Sequence, residues 1–319
     1  MDTASHLLIG ATLAGLSFVH PEVAQQPELA AAILTGTLIG SHAPDFDVVA
    51  RLRGYTNYLK NHRGITHSLP ALVIWPTVLS LPIAWMYDVM NHFFLLFTWI
   101  LVAVIIHVGL DLLNSYGVQC LRPMKQKWYH LDIICLFDPI LFAMHCTGLI
   151  LWSVFGVEPG QLFIIVYAMS TLYIFLKTVQ HAQNMRLIKN YYRKEGIYHV
   201  IPTIHPFKFQ YVLEAAHHFY VGQIMNGTVK EAEQYIREQE NEIIELTKKI
   251  DGVRAFLHFA QRVHVHCTKM QDGYHITWSD ARFYHNRKLN FGVDVILNND
   301  KELISMKSGY RSRNWVSPI

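Results

Sequence analysis

Charge is what this sequence has least of. Only 16% of its residues are Asp, Glu, Lys or Arg, while 51% are hydrophobic. Ordinary soluble domains carry roughly 25% charged residues, so the composition argues against a wholly soluble protein. A cysteine framework is also missing. Cys120, Cys135, Cys146 and Cys267 form no C-x-x-C pair, which excludes a disulfide scaffold and gives a thiolate zinc site no support. Inert thiols in a reducing compartment are expected. The first residues lack a basic stretch, with Asp2 and His6 where Lys or Arg would stand, so no signal peptide is expected. The net charge of +3 is too small to argue for nucleic acid, and no such partner is expected.

Long apolar runs are present instead. Residues 69–87, 93–106, 139–155 and 160–176 hold no Asp, Glu, Lys or Arg. Each run is near the roughly 17–25 residues that cross a membrane as a helix. Two shorter apolar segments, His6–Val19 and Leu29–Gly40, come first. At about 1.5 Å per residue they fall short of a ~30 Å hydrocarbon core. They suit buried helices, a shallow hairpin, or short spans packed through small residues.

Basic residues alternate between the connections. Arg51, Arg53, Lys60 and Arg63 precede the first long run, and residues 88–92 have no Lys or Arg. Arg122, Lys125 and Lys127 follow the second run, only Glu158 lies near the third turn, and Lys177, Arg186, Lys189, Arg193 and Lys194 follow the fourth. The positive-inside rule places 51–68, 111–132 and everything after 177 in the cytoplasm. Composition changes from about 180. Residues 198–229 are aromatic and β-rich, with Asn226-Gly227 as a turn signal. Val229–Ile250 is polar and reads as helix, and Phe256–Ile304 returns to short β-like runs. The expected fold is mainly α. A polytopic membrane helical bundle (four long spans plus two short N-terminal apolar helices) fills residues 1–180. A basic linker over 181–199 leads to a small α+β cytoplasmic domain over 200–319.

His and Asp residues gather at the ends of the apolar segments. His107 and Asp111 lie four apart, on one face of a helix with Asn114 extending it. They can hold a metal or bridge two, or simply cap a helix end and face water. An ionisable residue at membrane depth is a functional candidate by default. SHAPDFD brings His42, Asp45 and Asp47 within six residues, and Pro44 breaks the preceding helix. Two carboxylates so close repel unless a cation lies between them; a solvated loop is the plain alternative. NHRGITHS holds His62 and His67 with Arg63 between them. A guanidinium beside a metal suits a phosphate oxygen, whereas a basic interfacial loop is the plain alternative. Asp132 and Asp138 fit structural or supporting roles. VHVH puts His264 and His266 on one strand face, a weaker metal signal. Topology strengthens the whole set, because the spans bring these ends to one cytoplasmic face.

His6, HAPDFD, HRGITHS and HVGLDLLNSYG resemble the membrane-bound metal-dependent hydrolases, the YdjM/YfhP-like proteins of bacteria. Within that group the chain is most like the YfhP-type members, which also carry a soluble C-terminal extension. The likeness covers roughly residues 1–145 at motif level and is looser beyond. The family in turn resembles zinc-dependent phospholipase C and the S1/P1-type nucleases. This implies two or three zinc ions acting on a phosphodiester. It carries over His6, His42, Asp47, His62, His67, His107 and Asp111 as ligands, with Asp45 as ligand or base. A mixed His/Asp set also suits Mn or Fe.

The sequence therefore leads to an expected metal-dependent hydrolase at the cytoplasmic face of the inner membrane. Asp45 and Arg63 are the catalytic candidates, and a membrane lipid or lipid-linked phosphate is the expected substrate. The C-terminal domain would bind a protein or self-associate. A metal transporter or sensor and a non-catalytic membrane scaffold are the alternatives. The transporter fits less well, because the clusters lie at one face rather than near the midplane.

Overall fold

Helix starts where a capping side chain allows it. The Asp2 carboxylate accepts from the Ser5 backbone N–H at 3.1 Å and opens α1, Thr3–Leu16. Pro21 and Pro27 stand in the first turns of α2, Pro21–Gln25, and α3, Pro27–Gly40, where a missing N–H costs nothing. The structure, a computed structural model, describes residues 1–54, 57–58, 60, 62–238, 241–285 and 288–311. They divide into two units, Met1–Asp47 with Arg63–His181 and Val48–His62 with Ala182–Ile319.

The first unit is helical, and two elements of this part of the chain run on into the second unit, from Val48 and from Ala182. After α3 the chain runs through 3₁₀ turns over Ala43–Arg53 and Ile65–His67. Then come α4 (Leu69–Met86), α5 (Phe93–Leu113), α6 (Pro139–Ser153) and α7 (Pro159–Tyr192). Three stretches are long and apolar enough to cross a membrane: Leu69–Met86, Met90–Leu113 and Pro159–Tyr192. Where the sequence predicts a fourth long span, α6 has 15 residues, about 22 Å at the helical rise. The Asp138 carboxylate fixes its start, accepting from Ile140 and Leu141 N–H groups. The helix stops at Ser153, short of the two further apolar residues of the run. Val73, Ile74, Val78, Leu81 and Trp85 leave the outer face of α4 exposed. Such a continuous apolar surface calls for a lipid environment. The inner core joins Leu13, Leu29, Ile33, Leu96, Ile100 and Val104. Gly36 and Gly40 lie against Ile100 so closely that a Cβ on Gly36 would stand 2.7 Å from it. This small-x-x-x-small spacing lets α3 reach α5.

The second unit has its own cores. β1 (Ile197–Pro202), β2 (Lys208–Glu214), β3 (His218–Met225) and β4 (Thr228–Ile236) form an antiparallel meander. Asn226 (φ 49°) and Gly227 (φ 73°) turn β3 into β4, as Asn-Gly favours. The residues after Val229 are strand up to Ile236, not helix; helix begins at Glu242 with α8 (Glu242–Lys248) and continues in α9 (Asp251–Phe259). The hairpin explains the correction: the tight turn hands β4 directly to β3, and pairing outweighs the helical propensity of VKEAEQ. A second antiparallel sheet has the order β10-β9-β6-β5, built from Leu303–Tyr310, Phe291–Asn298, Gly273–Asp280 and Val263–Met270. β7 (Tyr284–His285) pairs antiparallel with β8 (Lys288–Leu289). Trp278 of the second sheet donates to Thr247 Oγ1 of α8 at 3.0 Å.

Candidate metal centre

Four side chains converge in the first unit. His107 and Asp111 project from the last turns of α5, His67 from the 3₁₀ turn before α4, and Asp45 from the turns after α3. Together they form a group able to hold a metal ion. His67, His107 and Asp111 are buried.

The spacing of the facing atoms is specific. His67 Nε2 lies 3.3 Å from His107 Nε2. It lies 3.5 Å from Asp45 Oδ1 and 3.4 Å from Asp111 Oδ2. His107 Nε2 is 3.6 Å from each of the same two oxygens. Zinc bonds to nitrogen and oxygen of about 2.0–2.2 Å place tetrahedral ligands roughly 3.3–3.6 Å apart. Five edges of the group fall in that range. Asp45 Oδ1 and Asp111 Oδ2 are buried without a hydrogen-bond partner among the described residues. A desolvated carboxylate oxygen left unpaired is costly, and a cation at the centre removes that cost. The donor set fits a divalent ion.

The surrounding groups orient the four. His107 Nδ1 sits 2.6 Å from the Ser41 carbonyl, which makes Nδ1 the N–H and leaves Nε2 as the donor atom toward the cluster. Asp47 does not enter the group of four. Its Oδ2 accepts from the Arg63 backbone N–H at 2.7 Å and from Thr66 Oγ1 at 3.0 Å, and it lies 3.7 Å from His67 Nδ1. Arg63 is held at φ 56°, an uncommon conformation for a side-chain-bearing residue. Its carbonyl accepts from Gln119 N–H at 3.0 Å.

Asp111 serves two neighbourhoods. Its Oδ2 faces the four-ligand group. Its Oδ1 meets Arg63 Nη2 at 3.0 Å, Asn114 Nδ2 at 3.1 Å and His6 Nε2 at 3.4 Å. The Met1 nitrogen contacts the same oxygen. The His6 ring stacks on His107 with centroids 3.8 Å apart. Arg63 Nε is buried with no hydrogen-bond partner among the described residues, and the guanidinium lies 5.6 Å from the Tyr116 ring centre.

Charge follows from these contacts. Burial alone would raise the Asp45 carboxyl, but the imidazoles of His107 and His67 hold it well below the usual carboxylate range. Burial would lower His67, yet the carboxylates of Asp111 and Asp45 outweigh it and raise the imidazole above its ordinary value.

Of the residues singled out in the sequence, the structure thus brings together Asp45, His67, His107 and Asp111, with His6, Asp47 and Arg63 around them. His42 stands apart from the four, its ring edge-on to Phe46 at 5.8 Å. His62 belongs with Asp45 and Asp47 to a second group able to hold a metal ion, and its ring stacks on Tyr58 at 4.6 Å. The Ser41 carbonyl was not readable, since a backbone acceptor leaves no mark on residue type. In the second unit, His264 meets the Ile236 carbonyl and His266 meets Glu238. Neither belongs to a metal-holding group among the described residues.

A helical membrane protein with a buried His/Asp cluster at the ends of its spans is the class these features define. Residues 1–184 match the YdjM inner membrane protein family, and residues 242–315 match the YfhP C-terminal alpha/beta plait domain. A protein of Bacillus subtilis (strain 168) described as "Uncharacterized protein YfhP" is 31% identical over 313 residues, covering 97% of this chain and 95% of the relative. The chain belongs to the YdjM inner membrane protein family. No solved structure gives a significant match.

Proposed function

We propose that the chain is a metal-dependent hydrolase at the cytoplasmic face of the inner membrane. Its substrate would be a phosphate ester or phosphodiester, with a lipid-linked one favoured. The observation that carries this reading is the close spacing of Asp45, His67, His107 and Asp111, two of whose facing carboxylate oxygens are buried and unpaired among the described residues. Zinc suits the two-imidazole, two-carboxylate set, with Mn or Fe as alternatives. An ion held there would bring the pKa of a bound water toward neutrality and offset phosphate charge. His6 and the second oxygen of Asp111 offer donors for a further ion, in competition with Arg63 and the Met1 nitrogen.

The chain's own groups supply the rest. Asp47 holds the Arg63 backbone and Thr66, which fixes the loop that carries His67. Ser41 sets the His107 tautomer. Arg63 places a permanent cation beside Asp111, and its Nε still has a proton to donate to a phosphate oxygen. Asp45, partly open to solvent, would act as the base only through the oxygen that does not face the cluster.

A second reading has its own observation. Four protein ligands complete a tetrahedron, and closed sites of that kind are structural or sensing centres, whereas catalytic zinc keeps a position open. One experiment separates the two. The full chain in nanodiscs is analysed for metal and assayed on bis(p-nitrophenyl) phosphate and on phospholipid. Metal content with turnover that is lost in the His107→Ala, Asp111→Ala double variant supports hydrolysis. Metal content without turnover supports the structural or sensing centre. No metal in the wild type rejects both.

A further inference from the structure

The 3₁₀ turns over Ala43–Arg53 carry a feature the metal cluster does not use. Side chains three apart eclipse one another on a 3₁₀ helix. Asp45 and Asp47 therefore head two of its three rows, and Phe46, Val49 and Leu52 form the third. That row is wholly apolar, and it is exposed. Phe46 is 44%, Val49 61% and Leu52 87% accessible. Three large apolar side chains in a line, uncovered on a short helix, are costly in water at about 25 cal/mol per Å².

Phe46 shows what covers them. Its ring packs edge-on against Trp75 of α4, with centroids 5.8 Å apart. Trp75 lies six residues into that candidate span, which begins at Leu69, about 9 Å along the axis. Amphipathic segments at membrane surfaces sit with their apolar face roughly 5–10 Å into the headgroup–acyl boundary. Trp75 is itself the residue type that settles there, and its Nε1 donates to the Thr66 carbonyl at 3.1 Å. Ile65 and Leu69 add exposed apolar surface at the head of the same span. Arg51, also exposed, lies in the neighbouring row, placed to meet lipid phosphate.

We propose that Phe46, Val49 and Leu52 are an interfacial foot, seated in the phospholipid headgroup–acyl boundary. The segment that supplies Asp45 then lies on the lipid surface, and a lipid headgroup meets the cluster without leaving the bilayer. The inference goes beyond the hydrolase reading, because the foot's seat does not depend on any reaction.

The test measures depth. The full chain, with its four cysteines replaced by alanine, is given one cysteine at Val49, Leu52 or Arg51 and labelled with a nitroxide. It is held in nanodiscs of phosphatidylcholine and phosphatidylglycerol. The expected ratio of oxygen to chromium oxalate collisions is severalfold higher at 49 and 52 than at 51. Equal ratios at all three positions, dominated by the water-soluble relaxer, overturn the proposal. Should the cysteine-free chain fail to fold, Leu52→Trp in the native background serves instead. Its added emission should be quenched by lipids brominated near the glycerol end of the acyl chain. Unquenched added emission overturns the proposal, and neither readout requires turnover.

Discussion

At the scale of single residues, Asp111 is the hinge of the site, because each of its oxygens has different work. Asp111→Ala and His107→Ala should each abolish stoichiometric metal, measured by elemental analysis of the purified chain. Asn114→Ala should act more mildly. It removes one donor to Asp111 Oδ1 and the acceptor for the Tyr116 and Gly117 N–H groups, a loss of about 1–3 kcal/mol for buried groups left unpaired. Thermal unfolding would register it. His67 gives a pH prediction. Its folded pKa lies above the ordinary value of about 6.5, so the protonated imidazole stabilises the metal-free protein. That contribution is complete below about pH 6.5 and fades as pH rises through the raised value. Chelator-treated protein should therefore lose melting temperature as pH is raised above neutrality, and the stabilisation on adding metal should grow with pH. A gain that shrinks with pH would contradict the arrangement. Asp45, His67, His107 and Asp111 could be picked from the sequence as candidates, although helix caps and solvated loops use the same residue types. Their sorting could not be read there. Asp45 and Asp47 are two apart and chemically alike, and only the 3₁₀ path of the chain decides which faces His67 and His107.

Elements are the next scale, and here glycine contacts separate tight from open packing. A Cβ on Gly15 of α1 would run into the Phe163 ring of α7, whereas one on Gly109 of α5 would meet nothing within 4 Å. Gly15→Ala should cost about 1–3 kcal/mol of overpacking. Gly109→Ala should be neutral or stabilise by roughly 0.5–1 kcal/mol, since alanine suits a helix interior better. Unfolding in detergent, both variants against the wild type, checks the contrast. Much of the element plan could be read beforehand. Runs such as 93–106 admit little but a buried or membrane helix, and Asn226-Gly227 marks its hairpin unaided. Two elements could not be read. TVKEAEQYI carries helix-forming residues, and its strand character comes from pairing with His218–Met225, which no local pattern contains. Helix α6 reads as a full span because apolar residues continue past Ser153, while the helix itself stops there.

For the whole molecule, the division into two units gives a prediction that no single variant can. The four residues of the central cluster, Asp45, His67, His107 and Asp111, belong to Met1–Asp47 and Arg63–His181, while the sheets and their helices belong to the other unit. A ligand that binds only the folded state stabilises it by about 2.7 kcal/mol when present at a hundred times its dissociation constant. Amide hydrogen exchange of the full chain in nanodiscs, with and without zinc, resolves where that stabilisation falls. Exchange that proceeds through opening of the cluster should slow by up to about 100-fold, since each 1.4 kcal/mol is a factor of ten. The slowing should be confined to residues around 41–47, 63–68 and 104–114. Strands such as Phe219–Ile224 and Val293–Leu297 have separate buried cores and should exchange unchanged. Uniform slowing across both units would mean that they open together, and that metal acts on the fold as one body. Slowing confined to the second unit would move the metal site away from Asp45, His67, His107 and Asp111 altogether.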